Sequence, residues 1–161
     1  MPDIFTRKKR SDVMARIRGA GNKDTELRLS QIFRTNGITG WRRSCVIRGR
    51  KAEEERQTKP FSVRPDFVFP TLKTAVFVDG CFWHGCPKHA TWPKTRASFW
   101  LAKITGNKAR DRRVNRELRR LGWNVVRIWE HELRRKDEAR LLRKLRTHLC
   151  PHRPPGIRRL D

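Results

Sequence analysis

The chain has 161 residues, and 40 lysines and arginines against 16 aspartates and glutamates leave it with a formal charge of +24. Such an excess repels itself unless a polyanion neutralises part of it, and nucleic acid is the partner that fits. An anionic membrane is the competing surface, but no segment reaches the ~20 apolar residues that a spanning helix needs, and aromatic and acidic residues interrupt the basic stretches.

One domain over residues 1–161, with its own hydrophobic core, is expected for this length. The opening MPDIFTRKKRSD is basic but has neither an apolar run nor a cleavage site, so a cytoplasmic, reducing setting is expected and the four cysteines need a use other than disulfides. SDVMARIR, from Ser11 to Arg18, predicts a first helix with a serine cap. A second is expected within residues 22–37, with Leu27, Leu29, Ile32 and Phe33 apolar and Gly37 closing it. Gly40 to Arg48 predicts a strand, and the mixed charge of residues 49–62 predicts an exposed, mobile loop or hairpin tip.

VRPDFVFP and TAVFVDG, separated by the turn-like PTLK, predict two adjacent central strands. Thr95 to Leu121 is helix-compatible, with Gly106 as the point where it would divide, and WNVVRIWE predicts another strand. A terminal helix follows in KDEARLLRKLRTHL, with Ala139, Leu142, Leu145 and Leu149 at inward spacing, and the basic, proline-rich tail 150–161 is expected to be loosely held. The fold class expected is therefore α/β, a mixed sheet flanked by helices.

VFVDGCFWHGCPKHATW, Val76 to Trp92, concentrates two cysteines, two histidines, an acid and aromatics. Cys81, Cys86 and His89 have the spacing of a loop that folds thiolate and imidazole ligands around one ion, which zinc favours in a tetrahedral site. His131, after the VVRIWE strand, is the leading fourth ligand, and His84 is its rival. Cys45 and Cys150 stand alone and read as plain thiols.

Asp66 is unusual in a strand, and a strand-end carboxylate is a hard ligand suited to magnesium, which beside a basic surface points to phosphodiester cleavage. An ion pair with Arg64 is the plainer use of that acid. His84 could transfer a proton near neutral pH. Asp111, on the helical face shared by Trp100 and Asn107, could orient it.

RPDFVF, FVDGCFWHGCPKH, FWLAKITGNKARDRR and GWNVVRIWEHEL together closely resemble the very short patch repair (Vsr) DNA mismatch endonucleases, from about Ser11 to Leu149. The resemblance implies a restriction-endonuclease-like core with a structural zinc, and magnesium-dependent nicking of double-stranded DNA beside a T·G mismatch. By motif position it implies a metal-binding Asp66, a catalytic His84 with acidic partner Asp111, and an active-site Glu26. It also implies a magnesium-ligating backbone carbonyl at Val78, and zinc ligands Cys81, Cys86, His89 and His131. Phe82, Trp83 and Trp100 would be wedges that stack into the opened duplex.

Asp79 has no assigned role, and strand alternation places it on the face opposite Val78. Residues 49–62 look like an addition to the family pattern. Double-stranded DNA is the expected partner, with mismatch-repair proteins beside it, no membrane contact and a monomeric chain. Two alternatives remain: a restriction or phage-defence endonuclease of the same fold that needs no mismatch, and a non-enzymatic zinc-stabilised DNA-binding module.

Overall fold

The computed structural model describes residues 23–49, 60–93 and 95–149. The expected helix over 11–18, the centre of the 49–62 loop and the 150–161 tail lie outside them.

Two six-residue runs, β5 (Thr74–Asp79) and β6 (Asn124–Trp129), are rich in β-branched and aromatic residues and form the parallel heart of the sheet. Their register pairs Thr74 with Asn124 and Asp79 with Trp129. The crossover between them is the long helix α2 (Ala97–Arg120). On the other side of β5, β4 (Phe67–Phe69) and then β1 (Arg42–Arg43) are antiparallel, giving a mixed sheet in the order β1-β4-β5-β6.

Strand alternation sorts the side chains into two cores. Phe67, Phe69, Val76, Val126 and Ile128 pack beneath α1 (Arg28–Thr35) and the terminal helix α3 (Glu138–Leu149). Val68 and Ala75 pack with Leu118 on the opposite face, joined by the partly buried Phe77, Val114 and Val125. Helices therefore cover both faces, as the α/β expectation required.

Several boundaries differ from the sequence expectation. The strand expected over Gly40–Arg48 is two short strands, because Ser44 adopts a left-handed φ of 51° and donates its N–H to the Asp66 carbonyl at 3.2 Å. After this break, β2 (Ile47–Arg48) leaves the main sheet and pairs antiparallel with β3 (Ser62–Val63). Among the described residues before the sheet, regular α-helix is confined to Arg28–Thr35, preceded by a π-helical turn at Lys23–Leu27.

Helix α2 runs unbroken through Gly106, which is exposed, and the roughly 1 kcal/mol a glycine costs there is small against the packing of the whole helix. In α3 the buried positions are Leu141 and Leu145, with Leu142 and Leu149 flanking them, while Ala139 faces solvent. No helix among the described residues is long and apolar enough to cross a membrane.

Candidate active site and metal centre

Asp66 lies at the bend just before β4, a residue short of the strand in which it was expected. There its Oδ2 accepts the Val78 N–H at 2.7 Å. Amide and carbonyl of an extended residue share one edge of the strand, so the Val78 carbonyl lies on the edge that Asp66 occupies. The Asp66 carboxyl is pushed up to about 6, chiefly by burial; the Val78 bond opposes this and the charges of Glu26 and Asp79 add to it. A carboxyl so poorly compensated is one that a divalent cation would hold ionised.

Glu26, in the turn before α1, is 6% exposed and takes an Arg43 Nη2 bond at 2.7 Å. It lines the same cleft, of about 860 Å³, as Asp66, Val78, Asp79, His84 and Asp111.

Asp111 belongs to the inward stripe of α2, seven residues after Ile104 and seven before Leu118. Its Oδ2 meets His84 Nδ1 at 2.6 Å. One turn earlier, Asn107 Nδ2 donates to the Trp83 carbonyl at 2.8 Å, so a single helical face grips the loop twice. Burial alone would raise the Asp111 pKa, but hydrogen bonds from Arg127 and His84 outweigh it and the carboxyl lies below its ordinary value. A carboxylate partner makes Nδ1 the protonated nitrogen and leaves Nε2 as the ring's acceptor.

Asp79 is on the face opposite Val78, 3% exposed, with Oδ1 at 3.6 Å from His84 Nδ1 and Oδ2 at 3.2 Å from Arg127 Nη1. Burial raises its pKa, against the pull of Arg127 and His84. Arg127 is the residue that sequence reasoning missed. The signal was present, an arginine between Val126 and Ile128 in a central strand, but in so basic a chain it does not stand out.

The four expected metal ligands converge. Cys81 follows β5, Cys86 and His89 lie on the loop, and His131 follows β6, with one donor atom from each all within 4.8 Å of one another. Sγ to Nδ1 distances are 3.2 Å for Cys81–His131, 3.7 Å for Cys86–His131 and 3.8 Å for Cys86–His89. Tetrahedral bonds of ~2.3 Å to sulfur and ~2.0 Å to nitrogen put such atoms about 3.5 Å apart, so the set fits zinc.

Burial pushes the Cys81 thiol up, as does the neighbouring Cys86, while burial and His89 push His131 down toward the neutral, ligating imidazole. His84, the rival ligand, is instead engaged by Asp111.

Phe82, Trp83 and Trp100 form one half-exposed aromatic cluster, with centroids 5.2, 5.2 and 5.9 Å apart. They are therefore not closed into the core. The loop reaches this position through Gly85, whose φ is +60° and whose missing Cβ would lie 2.9 Å from the buried Ile104 Cγ2 and 2.6 Å from Lys108 Cε. Gly85→Ala is expected to lower stability by about 2–4 kcal/mol through overpacking and left-handed strain. Thermal unfolding measures this, and an unchanged melting temperature would refute the close approach.

A family model described as DNA mismatch endonuclease Vsr matches residues 2–90. The type II nicking enzyme V.NmeAIP of Neisseria meningitidis is 37% identical over 142 residues, covering 87% of this chain and 90% of its own length. Type II nicking enzyme V.NaeI of Lentzea aerocolonigenes is 53% identical over 70 residues, covering 44% of this chain and 42% of its own. DNA mismatch endonuclease Vsr of Escherichia coli K12 is 42% identical over 95 residues, 54% of this chain and 58% of its own. The chain thus spans about half the length of these last two relatives.

Proposed function

The chain belongs to the DNA mismatch endonuclease Vsr family, and from that premise we propose that it is a magnesium-dependent endonuclease that nicks double-stranded DNA beside a T·G mismatch. The observation that carries this reading is the 2.6 Å His84–Asp111 pair in a cleft shared with the raised Asp66 carboxyl.

Asp66 and the Val78 carbonyl would hold magnesium, which when bound supplies Lewis-acid stabilisation of charge on the phosphate and a more acidic water. His84 accepts the proton of the attacking water at Nε2, and Asp111 stabilises the imidazolium that results. Glu26, close enough to raise the Asp66 pKa, adds a second acid beside the metal position. In-line attack leaves a 5′-phosphate and a 3′-hydroxyl. Zinc held by Cys81, Cys86, His89 and His131 fixes the loop that carries His84 and the aromatics. Phosphate binding draws on the +24 charge.

Phe82, Trp83 and Trp100 would enter the stack at the mismatch, where base pairs open most easily. Trp83→Ala is expected to lose ~1–3 kcal/mol of stacking, seen as lost discrimination rather than lost salt-dependent affinity. The test is a nicking panel with magnesium on duplexes of equal length, with and without one T·G pair. A second reading, a nicking enzyme that acts on fully paired sites, draws on the description of two relatives as type II nicking enzymes. Equal nicking of both duplexes would select it and end the mismatch reading.

A further inference from the structure

Arg127 lies in the middle of β6, between Val126 and Ile128, which are 1% and 0% exposed. Its partner across the register is Phe77, and the guanidinium carbon sits 5.0 Å from the centroid of that ring. From this platform Nη1 reaches Asp111 Oδ2 at 3.0 Å and Nη2 reaches Asp111 Oδ1 at 3.0 Å, a two-point fork. Nη1 also reaches Asp79 Oδ2 at 3.2 Å. The Asp111 Oδ2 that accepts from the fork is the same oxygen that holds His84 Nδ1 at 2.6 Å.

We propose that Arg127 is a positioning residue for the nicking reaction: its fork fixes the Asp111 carboxylate and occupies Asp79, so that His84 is held in one tautomer and one orientation. The alternative partner for the ring is close, since Asp79 Oδ1 is only 3.6 Å from Nδ1. Without the guanidinium, two buried carboxylates, 3% and 8% exposed, would face one imidazole and compete for it. Asp79, His84 and Asp111 also bring their donor atoms within 4.8 Å, the composition of a metal site. Arg127 already supplies the positive charge that these acids require, so the cluster serves the proton rather than a further ion.

Arg127 is itself anchored: its carbonyl accepts Lys144 Nζ at 2.7 Å, and the same ammonium pairs with Glu132 at 3.0 Å. The strand is thereby tied to α3, independently of the side chain. Lysine at this position would bring the charge without the fork.

This inference rests on the nuclease reading for its kinetics but not for its spectroscopy. The measurements use the full chain with its metals: kcat and KM for nicking, thermal unfolding, and nitrogen NMR of the histidine rings. Arg127→Met is expected to lower kcat ~10- to 100-fold, the scale of a misplaced catalytic group, with KM within about threefold of the parent. Arg127→Lys should recover part of the loss. The His84 Nδ1–H pattern should be distinct in the parent and averaged between tautomers in Arg127→Met. In an Asp111→Asn background, adding Arg127→Met should cost less than about threefold, because the route through Asp111 is already gone.

Full kcat in Arg127→Met overturns the proposal, as does an equal loss with and without Asp111. If Arg127→Met does not fold, Arg127→Lys decides: parental kcat with a parental ring spectrum overturns it, and lowered kcat at unchanged melting temperature and KM supports it. A parent that fails to nick but shows the His84 pattern, lost in Arg127→Met, would fault the nuclease reading and leave the positioning role standing.

Discussion

Replacing His84 by alanine is expected to slow strand nicking ~100- to 10,000-fold, the range of a general acid or base. Duplex affinity should change little, because the charge that binds phosphates is spread over 40 lysines and arginines. Asp66→Ala should match or exceed that loss, since its carboxyl, raised to about 6 by burial, is the group proposed to hold magnesium. Single-turnover nicking beside a binding titration separates the two quantities. Parental rates in either variant would remove the residue from the reaction, and a parallel loss of binding would mean that the change had damaged the fold.

Removal of the zinc proposed at Cys81, Cys86, His89 and His131 is expected to unfold the domain rather than slow it. Structural zinc contributes ~10–16 kcal/mol in small zinc domains, as much as or more than the ~5–15 kcal/mol net stability of a typical domain. The four side chains join the loop after β5 to the turn after β6, so their separation frees the C-terminal end of the parallel pair. Cys86→Ala should therefore bind less than one zinc per chain and melt well below the parent, as elemental analysis and thermal unfolding with a chelator would record. A variant with full zinc content and parental stability would show that the four side chains meet without holding an ion.

Much of this site is legible in the residues because its chemistry is concentrated. Cysteine and histidine are few in the chain, so their grouping near Val76–Trp92 stands out, and β5 and β6 announce themselves by their β-branched runs. Asp111 could be placed by helical steps, since Trp100, Asn107 and Asp111 do share the face that meets the loop.

What escaped depends on tertiary context. Arg127 is one of 40 cationic side chains, and only the parallel register opposite Phe77 reveals that it is turned toward Asp79 and Asp111. The break at Ser44 has no glycine or proline to mark it; the conformation coincides with the bond to the Asp66 carbonyl. Ala139 with Leu142 and Leu141 with Leu145 are both apolar pairs at helical steps, and only the docking of α3 decides that Leu141 rather than Ala139 faces inward.

The parallel register has a consequence for how errors of assembly are rejected. Strand pairing carries Thr74 to Asn124 and Asp79 to Trp129, and Cys81 and His131, with Sγ and Nδ1 3.2 Å apart, keep the same separation of 50 positions. A slip of one residue would exchange the faces of β6. Arg127 would turn away from both acids, and Glu130 or Glu132 would take the place of His131 opposite Cys81. Parallel pairing across a long crossover is slow to form and prone to misalignment. Here the correct alignment both brings the thiolate and imidazole donors together and sets Arg127 against Asp79 and Asp111, and a misaligned β6 would lose both arrangements at once. An ion held by Cys81, Cys86, His89 and His131 would therefore favour the native register of β5 and β6 over a slipped one.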